Sequence, residues 1–137
     1  MRFLLALLVA VSVFAACDTS GDDPEFDLTF RDADGEVVAK LRFPEPSALP
    51  CRAIDCNEAD WRLVEGDLPN AVTLGQSRGT LRAAPTADGW SLTFIQNIAD
   101  AGSAAEIAVD GGVVTGTWSY LTFGGPVRGG TVSGTFR

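Results

Sequence analysis

Three cysteines, a serine motif and several carboxylates are the residues of this 137-residue sequence that could carry out chemistry. Cys17 follows an apolar run, while Cys51 and Cys56 lie in the sequence CRAIDC. A redox-active pair is more typically spaced C-x-x-C, and a zinc site would need further ligands. The sequence contains no histidine, which excludes ordinary zinc, haem and histidine-based acid–base sites.

The segment GQSRG, from Gly75 to Gly79, matches the G-x-S-x-G motif of hydrolases. That motif needs a helix after the serine and a histidine base elsewhere. Here the following residues read as strand and turn, and there is no histidine. The motif therefore does not predict a serine nucleophile.

The acidic residues give no clear metal or catalytic site. Asp32 and Asp34 begin like a calcium loop, but Val37 stands where an EF-hand needs glycine, so we predict a hairpin turn. A carboxylate pair could hydrolyse a substrate, but no Asp or Glu falls on a predicted inward face. We therefore expect a non-catalytic protein without metal or cofactor. One oxygen-rich cluster has two interpretations, a calcium site or a solvated acidic loop without metal. Its residues are Asp55, Asn57, Glu58 and Asp60.

The N-terminal segment has the three parts of an export signal: Arg2, a run from 3 to 14 that is apolar except for Ser12, and two alanines. The run is shorter than the roughly 20 apolar residues of a membrane-spanning helix. The sequence FAAC, ending at Cys17, resembles the lipobox of bacterial lipoproteins. The resemblance implies cleavage after residue 16, a lipid on Cys17 and a location in the cell envelope. An ordinary signal peptide or an uncleaved anchor are the alternatives, and in either Cys17 would be a free thiol.

The same resemblance bears on the other two cysteines. If Cys17 carries lipid, Cys51 and Cys56 remain as a pair in a compartment where disulfides persist. We expect a disulfide between them. In the chain-entropy model, a disulfide that closes so short a loop stabilises the folded protein by only about 2 kcal/mol, so the bond would brace the chain locally.

The sequence divides into a signal peptide at 1–16, a lipidated and acidic tether at 17–24 and a single β-domain at 25–137. Asp18 resembles the inner-membrane retention signal of enterobacterial lipoproteins. An acidic cluster resembles the surface-export signal of Bacteroidetes lipoproteins: Asp22, Asp23 and Glu25. Both addresses, periplasmic and surface-exposed, stay open.

The charge balance restricts the partners. Ten basic and 18 acidic residues give a net charge of −8, and Lys40 is the single lysine. Binding to a phosphate backbone requires clustered basic residues, so nucleic acid is not expected. Because negative charge also opposes docking on anionic lipid, membrane attachment would have to come from the covalent lipid.

Alternation of apolar and polar residues predicts strands through most of the domain. It begins with Phe26, Leu28 and Phe30 and continues after Asp34-Gly35 with alternate residues from 37 to 43. A long loop is expected at 44–60, and the ambiguous residues 57–66 favour a strand over a short helix. The other predicted strands are 71–75, 78–84, 90–97, 104–110, 113–121 and 131–137.

Two-residue turns set the expected registers. A turn at Asp34-Gly35 pairs Phe30 with Ala39. One at Asp88-Gly89 pairs Ala83 with Phe94, and one at Gly111-Gly112 pairs Ile107 with Gly116. For the last two strands, the parity of the apolar residues and the covering of glycine by aromatic rings favour Trp118 opposite Gly134 and Phe136 opposite Gly116.

These strands predict an all-β antiparallel meander that forms a small barrel or strongly curled sheet. VTGTW at Val114 and VSGTF at Val132 resemble strands of lipocalin- and avidin-like barrels. An eight-stranded barrel is either filled by side chains or holds one small ligand. The aromatic residues expected to face inward, and to contact such a ligand, are Phe30, Trp90, Phe94, Trp118 and Phe136.

The sequence therefore favours a lipid-anchored envelope protein that acts as a non-catalytic binding or structural module. The alternatives are a lipocalin-like carrier of a small apolar ligand and a carboxylate-dependent hydrolase. The expected partners are the membrane, through the lipid, and an envelope protein or small apolar ligand that the sequence does not identify.

Overall fold

Alternating apolar residues make strands that bury one face in a common core. In the computed structural model, which describes residues 23–48, 57–68, 77–94 and 101–137, every regular element is a β-strand. Within these ranges no helix has the length and hydropathy needed to cross a membrane. The strands are β1 (Glu25–Asp32), β2 (Val37–Pro44), β3 (Ser47–Ala48), β4 (Asn57–Gly66), β5 (Arg78–Pro85), β6 (Gly89–Phe94), β7 (Ala101–Asp110), β8 (Val113–Thr122) and β9 (Gly125–Phe136).

Eight long strands form a closed antiparallel meander. From β4 to β8, each strand pairs with the strand that follows it in the chain, and β9 pairs with β1. The barrel closes because β2 pairs with both β1 and β4. The two-residue strand β3 pairs only with the start of β4. The all-β fold and its closure into a barrel are thus confirmed, and the closed barrel agrees with the resemblance to lipocalin- and avidin-like folds.

The segment 57–66 is strand β4, as favoured from the sequence. The loop predicted at 44–60 is corrected on both sides, because β2 reaches Pro44, β3 occupies Ser47–Ala48 and β4 begins at Asn57. The strand predicted at 71–75 lies outside the described residues. The final strand is longer than expected and starts at Gly125.

The first hairpin reaches the predicted register by a different route. Phe30 pairs with Ala39, as expected, but Arg31 pairs with Val37, so Val38 is an extra residue in β2. The loop has three residues, closed by hydrogen bonds from the Gly35 amide to the Asp32 carbonyl (3.1 Å) and from the Asp32 amide to the Glu36 carbonyl (3.0 Å). The two-residue turn was therefore wrong, and the bulge at Val38 restores the strand pairing.

The predicted register is correct in one of the next two hairpins and wrong in the other. The register of β7 and β8 is confirmed, with Ile107 opposite Gly116. The register of β5 and β6 is wrong, because Ala83 pairs with Leu92 and not with Phe94. The turn lies one residue earlier, where the Thr86 amide donates to the Gly89 carbonyl at 2.9 Å. The slip is two residues, so the buried faces are unchanged.

The last hairpin is also corrected. Trp118 pairs with Gly130, and Gly134 pairs with Val114. A tight turn precedes a bulge at Val127, which lies between the partners of Tyr120 and Leu121. The predicted inward face of β8 is correct, since Trp118 is 3% exposed. The pairing of β8 with β9, however, is shifted by four residues from the predicted register. A side chain at Gly134 would therefore meet the Asp27 carbonyl, 2.0 Å from an ideal Cβ, and not Trp118.

The barrel has two distinct ends. At the first, which we call the tether end, β1 begins and β9 finishes, joined by hydrogen bonds between Glu25 and Arg137. At the other, the distal end, lie the β1–β2 and β8–β9 turns. The chain therefore enters the barrel at the tether end, where β1 begins.

Candidate functional site

The barrel interior is the site that the sequence proposed for a ligand. Phe30, Phe94 and Trp118 are buried there, and Trp90 and Phe136 are partly buried against the same core. All five predicted aromatic residues thus belong to the interior cluster. Whether any of them contacts a ligand stays a prediction.

A row of rings crosses the interior from one wall to the other. Phe30 lies on β1 and Phe94 on β6, which is four strands away in either direction around the barrel. Their ring centroids are 5.9 Å apart, in edge-to-face geometry. Direct contact between side chains from opposite walls means that this level of the barrel is occupied by protein.

Two tryptophans extend this row on either side. The Trp118 ring lies 6.2 Å from Phe30, and the Trp61 ring lies 6.1 Å from Phe94, both edge-to-face. We call these four residues the aromatic row: Trp61, Phe94, Phe30 and Trp118. Trp61 was missed in the sequence because its segment was ambiguous, although its alternation with Leu63 was visible.

A second cluster closes the interior towards the tether end. Phe26 stacks on Phe43 with centroids 4.9 Å apart and contacts Phe136 at 4.5 Å. These rings come from three neighbouring strands, β2, β1 and β9. The interior therefore holds two levels of packed aromatic side chains.

The two buried indoles differ in their hydrogen bonding. Trp118 Nε1 donates to the Arg31 carbonyl at 2.7 Å. Trp61 Nε1 is buried, and no acceptor for it exists in the described part of the chain. Trp61 packs on Gly79, where an ideal Cβ would lie 3.0 Å from Nε1. A buried donor without a partner carries a desolvation cost, so Trp61 stabilises the fold less than its buried area suggests.

This difference gives a prediction for a matched pair of variants. Trp118→Phe removes a hydrogen bond and leaves the Arg31 carbonyl without that donor, whereas Trp61→Phe removes an unpaired N–H. Because both lose similar ring area, we expect Trp118→Phe to lower the free energy of unfolding by about 1–2 kcal/mol more than Trp61→Phe. Urea denaturation of both variants measures this. An equal or reversed order would contradict the assigned hydrogen bonds.

The charged side chains lie on the outer face. Asp27 and Arg42 are 2.8 Å apart, and Glu25 and Arg62 are 2.9 Å apart. Lys40 pairs with Glu65 in the same region of β1, β2 and β4. Exposed pairs of this kind contribute little to stability. Inside, Ser103 is the one buried polar residue among those described.

The acidic motifs from the sequence have structural partners. In the first hairpin, Asp32 Oδ1 accepts from the amides of Asp34 (3.1 Å) and Glu36 (3.0 Å), so it serves the turn, as predicted. On β4, Glu58 pairs with Arg82 at 3.3 Å, and Asp60 accepts from the Thr80 hydroxyl at 2.9 Å. The described part of the oxygen-rich cluster is therefore spread along a strand and paired across it, and within that part no group of potential metal ligands gathers.

The serine motif runs directly into strand β5. The Ser77 carbonyl accepts from the Leu63 amide at 2.6 Å, and strand structure starts at the next residue. No helix follows, so the geometry of a nucleophile elbow is missing here. Cys17, Cys51 and Cys56 lie outside the described residues, so lipidation and the disulfide remain predictions.

Comparisons with known proteins add no family. No family model, no curated protein and no solved structure matches this chain.

Proposed function

We propose that the protein is a lipid-anchored component of the bacterial cell envelope whose barrel acts as a non-catalytic binding or structural module. Anchoring rests on the FAAC sequence that ends at Cys17. The single observation that favours a module over a carrier is the contact between Phe30 and Phe94 across the barrel, because it occupies the space that a cargo would need.

The interior also supports a non-catalytic role. Acid–base or nucleophilic catalysis uses titratable side chains held in a sheltered site. Among the described residues, the buried set is apolar apart from Ser103, and the acidic side chains named above lie on the outer face with basic or hydroxyl partners. Binding would therefore occur on the outer surface or at the barrel ends.

The placement of the chain suits attachment through a tether. Glu25 starts β1 and is bonded to Arg137 at the tether end, so a lipid on Cys17 would hold that end towards the membrane. The distal end, with its β1–β2 and β8–β9 turns, would then point away from the lipid. Surfaces near the distal end would be the most accessible to partners.

Replacement of Cys17 by serine tests the anchor. We expect the native protein to fractionate with membranes and Cys17→Ser to lose this association, because the net charge of −8 opposes docking on anionic lipid. The matched control is the double variant Cys51→Ser, Cys56→Ser, which should stay with membranes. Unchanged membrane association of Cys17→Ser would rule out lipid anchoring.

A further inference from the structure

A row of three arginines crosses the outer wall of the barrel. Arg62 on β4 lies opposite Arg42 on β2 and, on its other side, opposite Arg78 on β5. Arg62 and Arg78 are exposed, and Arg42 is partly exposed on the same outer face. We call these three residues the arginine row. Because like charges directly opposite each other on neighbouring strands are destabilising, the row opposes the strand pairing that it spans.

The rest of this wall places opposite charges side by side. Lys40 lies opposite Glu65, and Arg82 lies opposite Glu58, and both of these cross-strand neighbours form ion pairs. The arginine row is therefore an exception within a wall that otherwise follows the favourable pattern. A sequence that breaks a local rule in this way is expected to do so at a functional site.

Acidic side chains neutralise the row only in part. Arg42 contacts Asp27 through Nε at 2.8 Å, and Arg62 contacts Glu25 through Nη2 at 2.9 Å. Each guanidinium carries five N–H donors, so these single contacts leave donors of both arginines unused. Three arginines against two carboxylates leave the row with a net charge of +1.

Arg78 is the member of the row without a counter-ion. No acidic side chain pairs with it among the described residues. Its diagonal neighbour Asp60 accepts a hydrogen bond from the Thr80 hydroxyl at 2.9 Å instead. The stretch 69–76, which leads to β5, contains no acidic residue. The guanidinium of Arg78 is therefore open to a ligand.

From this arrangement we propose that Arg62 and Arg78 together bind a phosphate group of a small soluble molecule. Arginine recognises both carboxylate and phosphate through paired hydrogen bonds. A carboxylate has two oxygens, which a single guanidinium can engage. A phosphate group offers three acceptor oxygens and a charge of about −1.5 to −2 at pH 7, so it can serve two neighbouring guanidinium groups at once. Two adjacent arginines therefore favour phosphate over carboxylate.

The overall charge of the chain restricts the ligand further. A net charge of −8 opposes docking on an anionic membrane surface, so the phosphate group is not expected to belong to a lipid. The same charge weakens the binding of every anion, so the affinity has to come from direct contact with the row. This ligand class rests on the binding role proposed above but not on the anchor, which Cys17→Ser tests separately.

Titration of the purified native protein with inorganic phosphate and with pyrophosphate, followed by calorimetry at constant ionic strength, tests the site. We expect saturable binding that Arg62→Gln and Arg78→Gln each weaken at least about tenfold, because each removes charge-assisted hydrogen bonds. Arg128→Gln is the matched control, since this exposed arginine lies on β9, 3.6 Å from Asp32, and its loss should leave the affinity unchanged. Absence of saturable binding, or an equal loss in the control, would overturn the proposal.

Unfolding in urea separates binding by Arg78 from a structural role. Without phosphate, Arg78→Gln should unfold at the same urea concentration as the native protein or at a higher one, because it removes a like-charged neighbour of Arg62. A clearly less stable Arg78→Gln would mean that Arg78 supports the fold, against the proposal. Binding to vesicles that contain phosphatidic acid, without binding of either soluble phosphate, would contradict a soluble ligand.

Discussion

Phe30→Ala is expected to lower the free energy of unfolding by about 3–5 kcal/mol, as large-to-small substitutions of buried phenylalanine do. Phe30 is fully buried and joins the aromatic row at its centre, in contact with Phe94 and Trp118. Phe94 on β6 and Trp118 on β8 are each held in the hydrogen-bonded wall of the closed barrel, so the cavity cannot close by a simple collapse. Urea denaturation of the purified barrel protein measures the loss.

Thr29→Ala is the matched control on the same strand. Thr29 precedes Phe30, so its side chain points to the outer face, opposite Ser133. Its replacement should cost no more than about 1 kcal/mol, the span of strand propensities. If Phe30→Ala were as mild as Thr29→Ala, the interior would be loosely packed and the filled barrel would be wrong.

Gly130→Ala is expected to destabilise the barrel by about 2–5 kcal/mol, from overpacking and from a disturbed buried hydrogen bond. An ideal Cβ on Gly130 would lie 1.9 Å from the Arg31 carbonyl oxygen. That oxygen accepts the hydrogen bond of Trp118 Nε1, so the methyl group would push β1 away and disturb the indole as well. Thermal or urea unfolding, with the near-ultraviolet signal of tryptophan, follows both effects.

Gly124→Ala provides the control for this substitution. Gly124 lies in the turn of the same hairpin, and its ideal Cβ would meet only the Thr122 hydroxyl, at 3.8 Å. The alanine should therefore change stability by less than about 0.5 kcal/mol. Equal effects at the two glycines would contradict the close approach of β9 to β1.

The buried face of the strands could be predicted because burial follows a period of two. Phe26, Leu28 and Phe30 alternate with polar residues, and all three are buried in β1. The register of β7 and β8 could also be predicted, since Gly111-Gly112 forms a regular turn without a bulge. Where strand and turn follow simple rules, sequence alone is sufficient.

Bulges account for two of the discrepancies. At Val38 and Val127 one strand carries an extra residue, which depends on tertiary closure and leaves no simple mark in the alternation. In the β5–β6 hairpin the error came from Gly89, which was assigned to the turn but is the first residue of strand β6. An ideal Cβ on Gly89 would lie 2.1 Å from the Ile107 carbonyl oxygen, so glycine is needed in the strand, and the turn precedes it. Parity survived in each hairpin, because a one-residue slip would have exposed the core.

The candidate site could likewise be predicted only where it depends on local alternation. Inward aromatic residues were visible from alternation, but their contact across the barrel requires knowledge of which strands lie opposite each other.

The intact mass of the native protein, recorded first under native and then under denaturing conditions, tests the central claim of a lipid-anchored barrel with a filled interior. We predict a chain that begins at Cys17 and carries covalent acyl groups, with no further small molecule released on denaturation. A chain that lacks acylation at Cys17 would contradict the anchor, and a stoichiometric ligand released from the folded protein would contradict the filled interior.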